Sequence, residues 1–180
     1  MQRSWKDNLF IVLAFVMMGI LFYSSSMPYG DQSMTSTLDI WLAGEPLKGL
    51  LSHIEFTYAG SPVSVAAKGY IGFVEFFLRK GAHFGSYFLI ALFWFLGLRN
   101  KTSSLSLTAL LSFMLAAGYA SFDEFHQGLT PDRTPLLEDI LLDCFGAVTG
   151  VGIGWVLTDY GVTGKRKKKW KKPVVKSTNR

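Results

Sequence analysis

Cysteine is all but missing: Cys144 stands alone among 180 residues, which excludes an intramolecular disulfide and a cysteine-rich metal site and leaves the redox compartment undetermined. Histidine is scarce too, with three in the chain. Imidazole and carboxylate suit zinc, but neither His83 nor His126 stands in an H-E-x-x-H or similar spacing. No metal and no cofactor is expected. There is no internal repeat, and no low-complexity stretch before the basic tail. The length supports one domain, since domains usually run to roughly 100–200 residues.

Apolar residues are abundant, at 49% with 15 Phe, 5 Trp and 7 Tyr, and they fall in long blocks. A membrane helix needs roughly 20 mostly apolar residues to cross a hydrocarbon core about 30 Å thick. Four runs qualify, at 9–23, 81–98, 105–122 and 136–157, the last weakened early by Glu138, Asp139 and Asp143. In hydrocarbon every backbone polar group must be bonded within the segment, so these runs are helices. The sequence predicts an all-α fold, a polytopic membrane bundle of about four transmembrane helices with an extracytoplasmic loop. The spans are placed at 6–24, 81–98, 105–124 and 136–157. They fall in a transmembrane domain over residues 1–160, with a basic cytoplasmic tail over 161–180. A cleavable signal peptide is the rival reading of the first run. It lacks a clear A-x-A-like exit, and Tyr23 stands at its boundary as an interfacial anchor would.

Charge gives orientation. With both termini in the cytoplasm, that side receives Arg3, Lys6, Arg99, Lys101 and every basic residue from Lys165 onward. The other side receives Lys48, Lys68, Arg79, Lys80 and Arg133, while Asp7 and Asp159 are the only acids left inside. The positive-inside rule therefore predicts a multi-pass protein of the cell membrane with N- and C-termini cytoplasmic. The run Lys165-Arg166-Lys167-Lys168-Lys169-Trp170-Lys171-Lys172 follows an apolar segment. There it is expected to meet anionic lipid headgroups, and nucleic acid is not an expected partner. The outer segment 25–79 is punctuated by Gly30, Gly44, Pro46, Gly60 and Pro62. Residues 54–65 alternate around a turn at 59–62 and predict a small hairpin. The aromatic stretch 70–78 is expected to lie along the outer membrane surface.

Polar residues gather at the outer ends of the helices. Lys80, His83 and Tyr87 are spaced i, i+3, i+7, and Asp123, His126 and Gln127 i, i+3, i+4, with Glu124 turned to the side. Gly128 suits a helix stop, and Thr134-Pro135 suits an N-cap followed by proline at the first helical position. Asp139 and Asp143 share a face of the fourth helix. Lys80 stands at a helix N-terminus and Asp123 and Glu124 near a C-terminus, both unfavourable to the helix dipole. Those placements make sense if Lys80 or Arg133 pairs with the acids. The bland alternative treats Asp139 and Asp143 as an electrostatic staple for their helix, and His53 reads as an ordinary loop residue. Deeper in, Gly146, Gly150 and Gly154 recur every four residues, and Ala116, Ala117, Gly118 and Ala120 line the third helix. Small residues at that spacing let membrane helices approach closely. A bundle tight inside and polar outside is a cup, not a channel.

The pattern Lys80-x-x-His83-x-x-x-Tyr87, then Asp123-Glu124-x-x-Gln127, Arg133, Asp139, Asp143 and Gly146-x-x-x-Gly150, with Ser24-Ser25 after the first span, resembles the VanZ-like membrane protein family. Asp132 stands where that family often has glycine. The resemblance implies an envelope protein, since the family is named for a protein associated with resistance to teicoplanin, a lipid-tailed glycopeptide. The expected partners are membrane lipids and a lipid-linked cell-wall precursor or lipoglycopeptide. Ligand binding is expected at Lys80, His83, Tyr87, Asp123, Glu124, Gln127, Arg133, Asp139 and Asp143. Two other roles remain open. One is an intramembrane hydrolase or transferase with acid–base chemistry at Asp123, Glu124 or His126. The other is a proton-coupled carrier using Asp139 and Asp143.

Overall fold

The structure, a computed structural model, describes residues 2–28, 30, 33–131 and 133–161. Asp132 and the expected basic tail beyond Gly161 lie outside them. In order the elements are α1 (Gln2–Ser25), α2 (Thr35–Trp41), α3 (Lys48–Leu51), β1 (Glu55–Tyr58), β2 (Ser61–Ser64), α4 (Val65–Leu98), α5 (Leu105–Gln127) and α6 (Leu137–Asp159). Among the described residues, four helices are long and apolar enough to cross a membrane; they contain the first three predicted spans and all of the fourth but Leu136, which precedes α6. The rest forms a small layer over one end of the bundle, which we call the hairpin end.

Serines set two of the helix starts. The Ser104 Oγ accepts from the Leu107 N–H at 3.1 Å, and the Ser64 Oγ from the Ala67 N–H at 3.2 Å, each supplying an acceptor to an otherwise orphaned donor. In the hairpin Tyr58 pairs with Ser61, so the turn is the two residues Ala59 and Gly60. Both have positive φ, at 48° and 75°, as the tight turn matching strand twist requires. The sequence places the turn over 59–62; the structure draws Ser61 and Pro62 into β2.

The aromatic stretch 70–78 departs from expectation, for it continues the second span instead of lying flat. Gly69 alone breaks the helical backbone, with φ at 72°, and from 70 to 98 the helix is unbroken. At 1.5 Å per residue that segment is about 43 Å long against a hydrocarbon core of about 30 Å. Its first turns therefore stand clear of hydrocarbon. The reason is packing: Tyr70 and Phe73 bury with Val65 against Val63 of the hairpin layer, which offers apolar partners in place of lipid.

Below that layer α4 packs against α1, α5 and α6. It supplies the large core residues Tyr87, Ile90 and Trp94, and the other helices supply Ala14, Ala116, Ala120 and Ala147. α4 and α6 run side by side in the same direction. A Cβ on Gly146 would lie 2.4 Å from the Phe84 carbonyl oxygen, and one on Gly150 2.2 Å from that of Phe88. The glycine stripe thus lets two backbones touch, as its spacing predicts. Outward, Val12, Phe15, Val16, Leu110, Met114, Leu141, Phe145 and Val148 are exposed, a girdle suited to lipid. At the far end buried Asp7 accepts two bonds from the Asn100 amide at 3.0 and 3.1 Å, tying α1 to the α4–α5 turn.

Candidate functional site

Lys80 and His83 share one face of α4, and Asp139 and Asp143 share one face of α6. Because these helices run parallel and in register, the groups meet in order. The Lys80 Nζ donates to the Asp139 Oδ1 at 2.5 Å, and one step deeper the His83 Nδ1 lies 3.5 Å from the Asp143 Oδ2. The offset of about sixty residues continues into the contacts of Phe84 with Gly146 and Phe88 with Gly150. One helix pair sets both the polar pairing and the close packing beneath it.

The hairpin adds a partner absent from the sequence reading. The Tyr58 hydroxyl donates to the Asp139 Oδ1 at 2.5 Å, and the Lys80 Nζ lies 4.8 Å from the Tyr58 ring centroid. Burial first, then the bond to Asp139 and the nearby carboxylates, raise the Tyr58 pKa well above its ordinary 10.0. A group whose folded pKa is raised contributes stability fully present below the unfolded value and lost as pH climbs toward the folded one. The hairpin layer is therefore expected to weaken only in strong alkali, above pH 10. Subtracting the 295 nm absorbance titration of Tyr58→Phe from that of the wild type should show no phenolate from Tyr58 up to pH 11. Ionisation near pH 10 would contradict this.

On the other side of the site a chain of hydrogen bonds crosses three segments. The Ser25 hydroxyl, at the end of α1, donates to the Asp123 Oδ1. The Gln127 amide donates to the Asp123 Oδ2 at 3.0 Å, and the Arg133 Nη1 donates to the Gln127 Oε1 at 2.8 Å. Glu124 is not turned aside. It is buried, and its Oε1 accepts the Leu136 N–H at 2.5 Å. Thr134 makes no cap; α6 begins at Leu137, with Glu124 reaching across from α5 to bind the backbone at its start.

These groups surround a cavity of about 470 Å³ at the hairpin end. Among the described residues Lys68, Arg79, Lys80, Arg133 and His83 line it, with Glu75 and Asp139 as carboxylates. Both acids are engaged, Asp139 as above and Glu75 by the Met34 N–H at 2.7 Å. Of the predicted ligand residues, Lys80, His83, Gln127, Arg133 and Asp139 face the cavity. Asp123, Glu124 and Asp143 lie behind it as buried supports, and Tyr87 is in the core. His126 faces elsewhere, stacked on Phe22 at 4.5 Å between ring centroids. Arg79, Lys68, Glu75 and Tyr58 were not foreseen. Arg79 follows Glu75 by one helical turn, a spacing that points to it once 70–78 continues the second span.

Chemically the cavity is cationic on several walls and walled in part by Tyr58 and Phe76. The description VanZ/LLP1 belongs to the family that matches the chain, over residues 10–158, from α1 to the last turn of α6. No curated protein and no solved structure matches it.

Proposed function

The chain belongs to the VanZ/LLP1 family, and from that premise we propose that this multi-pass membrane protein binds the anionic headgroup of a lipid-linked or lipid-tailed ligand in its hairpin-end cavity. The observation that carries this is charge: among the described residues Lys68, Arg79, Lys80 and Arg133 converge on one concavity that two carboxylates line, both already hydrogen-bonded. Guanidinium and ammonium groups together suit a phosphate, which takes paired donors from the first and a point charge from the second. The distribution of basic residues supports a hairpin end facing away from the cytoplasm, in the envelope. There the cavity meets lipid-linked cell-wall precursors and teicoplanin-type glycopeptides, so the protein alters susceptibility to such drugs.

Purified protein in phosphatidylcholine nanodiscs is expected to bind dioleoyl phosphatidic acid saturably, as followed by native mass spectrometry. Arg133→Gln should weaken that binding at least about ten-fold, in line with a lost charged hydrogen bond. Equal affinity for wild type and variant would remove the cavity from the account. In a teicoplanin-sensitive host the same variant should lose whatever protection the wild type gives at equal membrane abundance.

A second reading rests on a specific pair. His83 lines the cavity while its Nδ1 faces buried Asp143, an arrangement that orients an imidazole for acid–base work. If the protein is a hydrolase or transferase, His83 rather than His126 is the group to test. Turnover of a phosphate-headed lipid that stops in His83→Gln would select this reading.

A further inference from the structure

A second concavity, of about 400 Å³, lies on the other side of the connection between α5 and α6. Its walls are mainly apolar and include Phe125, Leu129, Leu137 and Ile140, with Ser121 on α5. Consecutive residues divide between the two spaces. Gln127 lines the cationic cavity and Gly128 the groove; Thr134 the cavity and Pro135 the groove; Asp139 the cavity and Ile140 the groove. Leu136 borders both. Residues 127–129 and 133–136 therefore form a partition, polar on one side and apolar on the other.

We propose that the groove holds an acyl chain of the same lipid whose phosphate headgroup occupies the cationic cavity, with Leu136 at the crossing between them. This rests on the headgroup reading above and names its ligand class: a membrane lipid with a phosphate headgroup, held at both ends. The groove lies in the lipid-facing wall, where Phe125 and Leu137 are among the most exposed apolar side chains of their helices and Leu129, in the connection between them, is as exposed. A concavity of that kind offers water few partners, so in a bilayer hydrocarbon fills it. The adjoining cations determine which hydrocarbon, because a chain carrying a phosphate gains contacts there that a zwitterionic neighbour does not. Glu124 borders the groove, but its Oε1 is taken by the Leu136 N–H. The acyl chain thus passes a carboxylate whose hydrogen bonding already serves the partition.

Two substitutions fill the groove from opposite walls, Ser121→Phe from α5 and Leu137→Trp from α6. Both positions are exposed toward lipid, so neither change burdens the core. Binding of dioleoyl phosphatidic acid and of glycerol 3-phosphate would be measured for the wild type and both variants in phosphatidylcholine nanodiscs. The expected result is a loss of about ten-fold or more in affinity for the dioleoyl lipid in each variant, with glycerol 3-phosphate binding unchanged. Dioleoyl affinity equal to the wild type in both variants, with glycerol 3-phosphate still bound, overturns the chain groove and leaves the headgroup site standing. Failure of the wild type to bind either probe overturns the headgroup reading and this inference with it.

Discussion

Gly150→Ala is expected to destabilise the bundle by about 1–3 kcal/mol, the usual range for overpacking a tight core, and Gly150→Leu to prevent its assembly. The Cβ of alanine would stand 2.2 Å from the Phe88 carbonyl oxygen and 3.0 Å from its carbon. Both are backbone atoms of a packed helix, so no side chain can swing aside to relieve them. Relief needs α4 and α6 to part, and at Gly146 the Phe84 carbonyl is nearly as close, at 2.4 Å. The pairs above would part with them. Lys80 and Asp139 belong to the same register, so Gly150→Ala should weaken lipid binding as well as stability. Gly152→Ala is the control. Nothing lies within 4 Å of a Cβ there, and alanine in a helix interior gains roughly 0.5–1 kcal/mol over glycine. Thermal unfolding of the two variants in the same detergent decides the matter. Equal melting temperatures for Gly150→Ala and Gly152→Ala would show that the helices have slack.

That register explains how much of the site could be read beforehand. Four apolar runs give four spans, because in hydrocarbon a run of that length has only one way to satisfy its backbone. Lys80 with His83, and Asp139 with Asp143, can be assigned to faces from spacing alone. Which lysine meets which acid depends on the offset between two helices separated by a third, and no local pattern states it. Geometry on one helix also separates neighbours in sequence. At 3.6 residues per turn Asp123, Gln127 and Glu124 fall within an arc of about 100°, while His126 lies roughly 60° to the other side of Asp123. The arc faces the bundle, and all three residues on it are buried. His126 turns to Phe22 of α1 instead. Glu124 is misread for a related reason: its partner is a backbone N–H twelve positions on, so no side chain marks the bond. Tyr58 and Arg79 reach the cavity only because α4 outruns the membrane and lifts the hairpin layer over it.

Asp123→Ala is expected to lower stability by about 2–6 kcal/mol, since each buried donor left unsatisfied costs roughly 1–3 kcal/mol and two are stranded. They are the Ser25 hydroxyl and the Gln127 amide. The loss extends to the cavity. Asp123 accepts from the Gln127 Nε2 and so turns the Gln127 Oε1 toward Arg133. Without it the amide is free to rotate, and Arg133 loses the Gln127 acceptor at the cavity wall. Asp123→Asn separates the two effects. Its Oδ1 can accept from Gln127 while its Nδ2 donates to the Ser25 Oγ, so both contacts survive without a carboxylate. Melting temperature and dioleoyl phosphatidic acid affinity should therefore both fall in Asp123→Ala, with the larger part of each recovered in Asp123→Asn. Gln127→Leu supplies the remaining arm: it keeps Asp123 but removes the acceptor for Arg133, and should lose affinity even where the fold survives. If Asp123→Ala binds lipid as the wild type does, Arg133 is positioned by something other than this chain of bonds. If Gln127→Leu alone spares affinity, the chain from α1 through Asp123 serves the fold and the cations of the cavity suffice for the ligand.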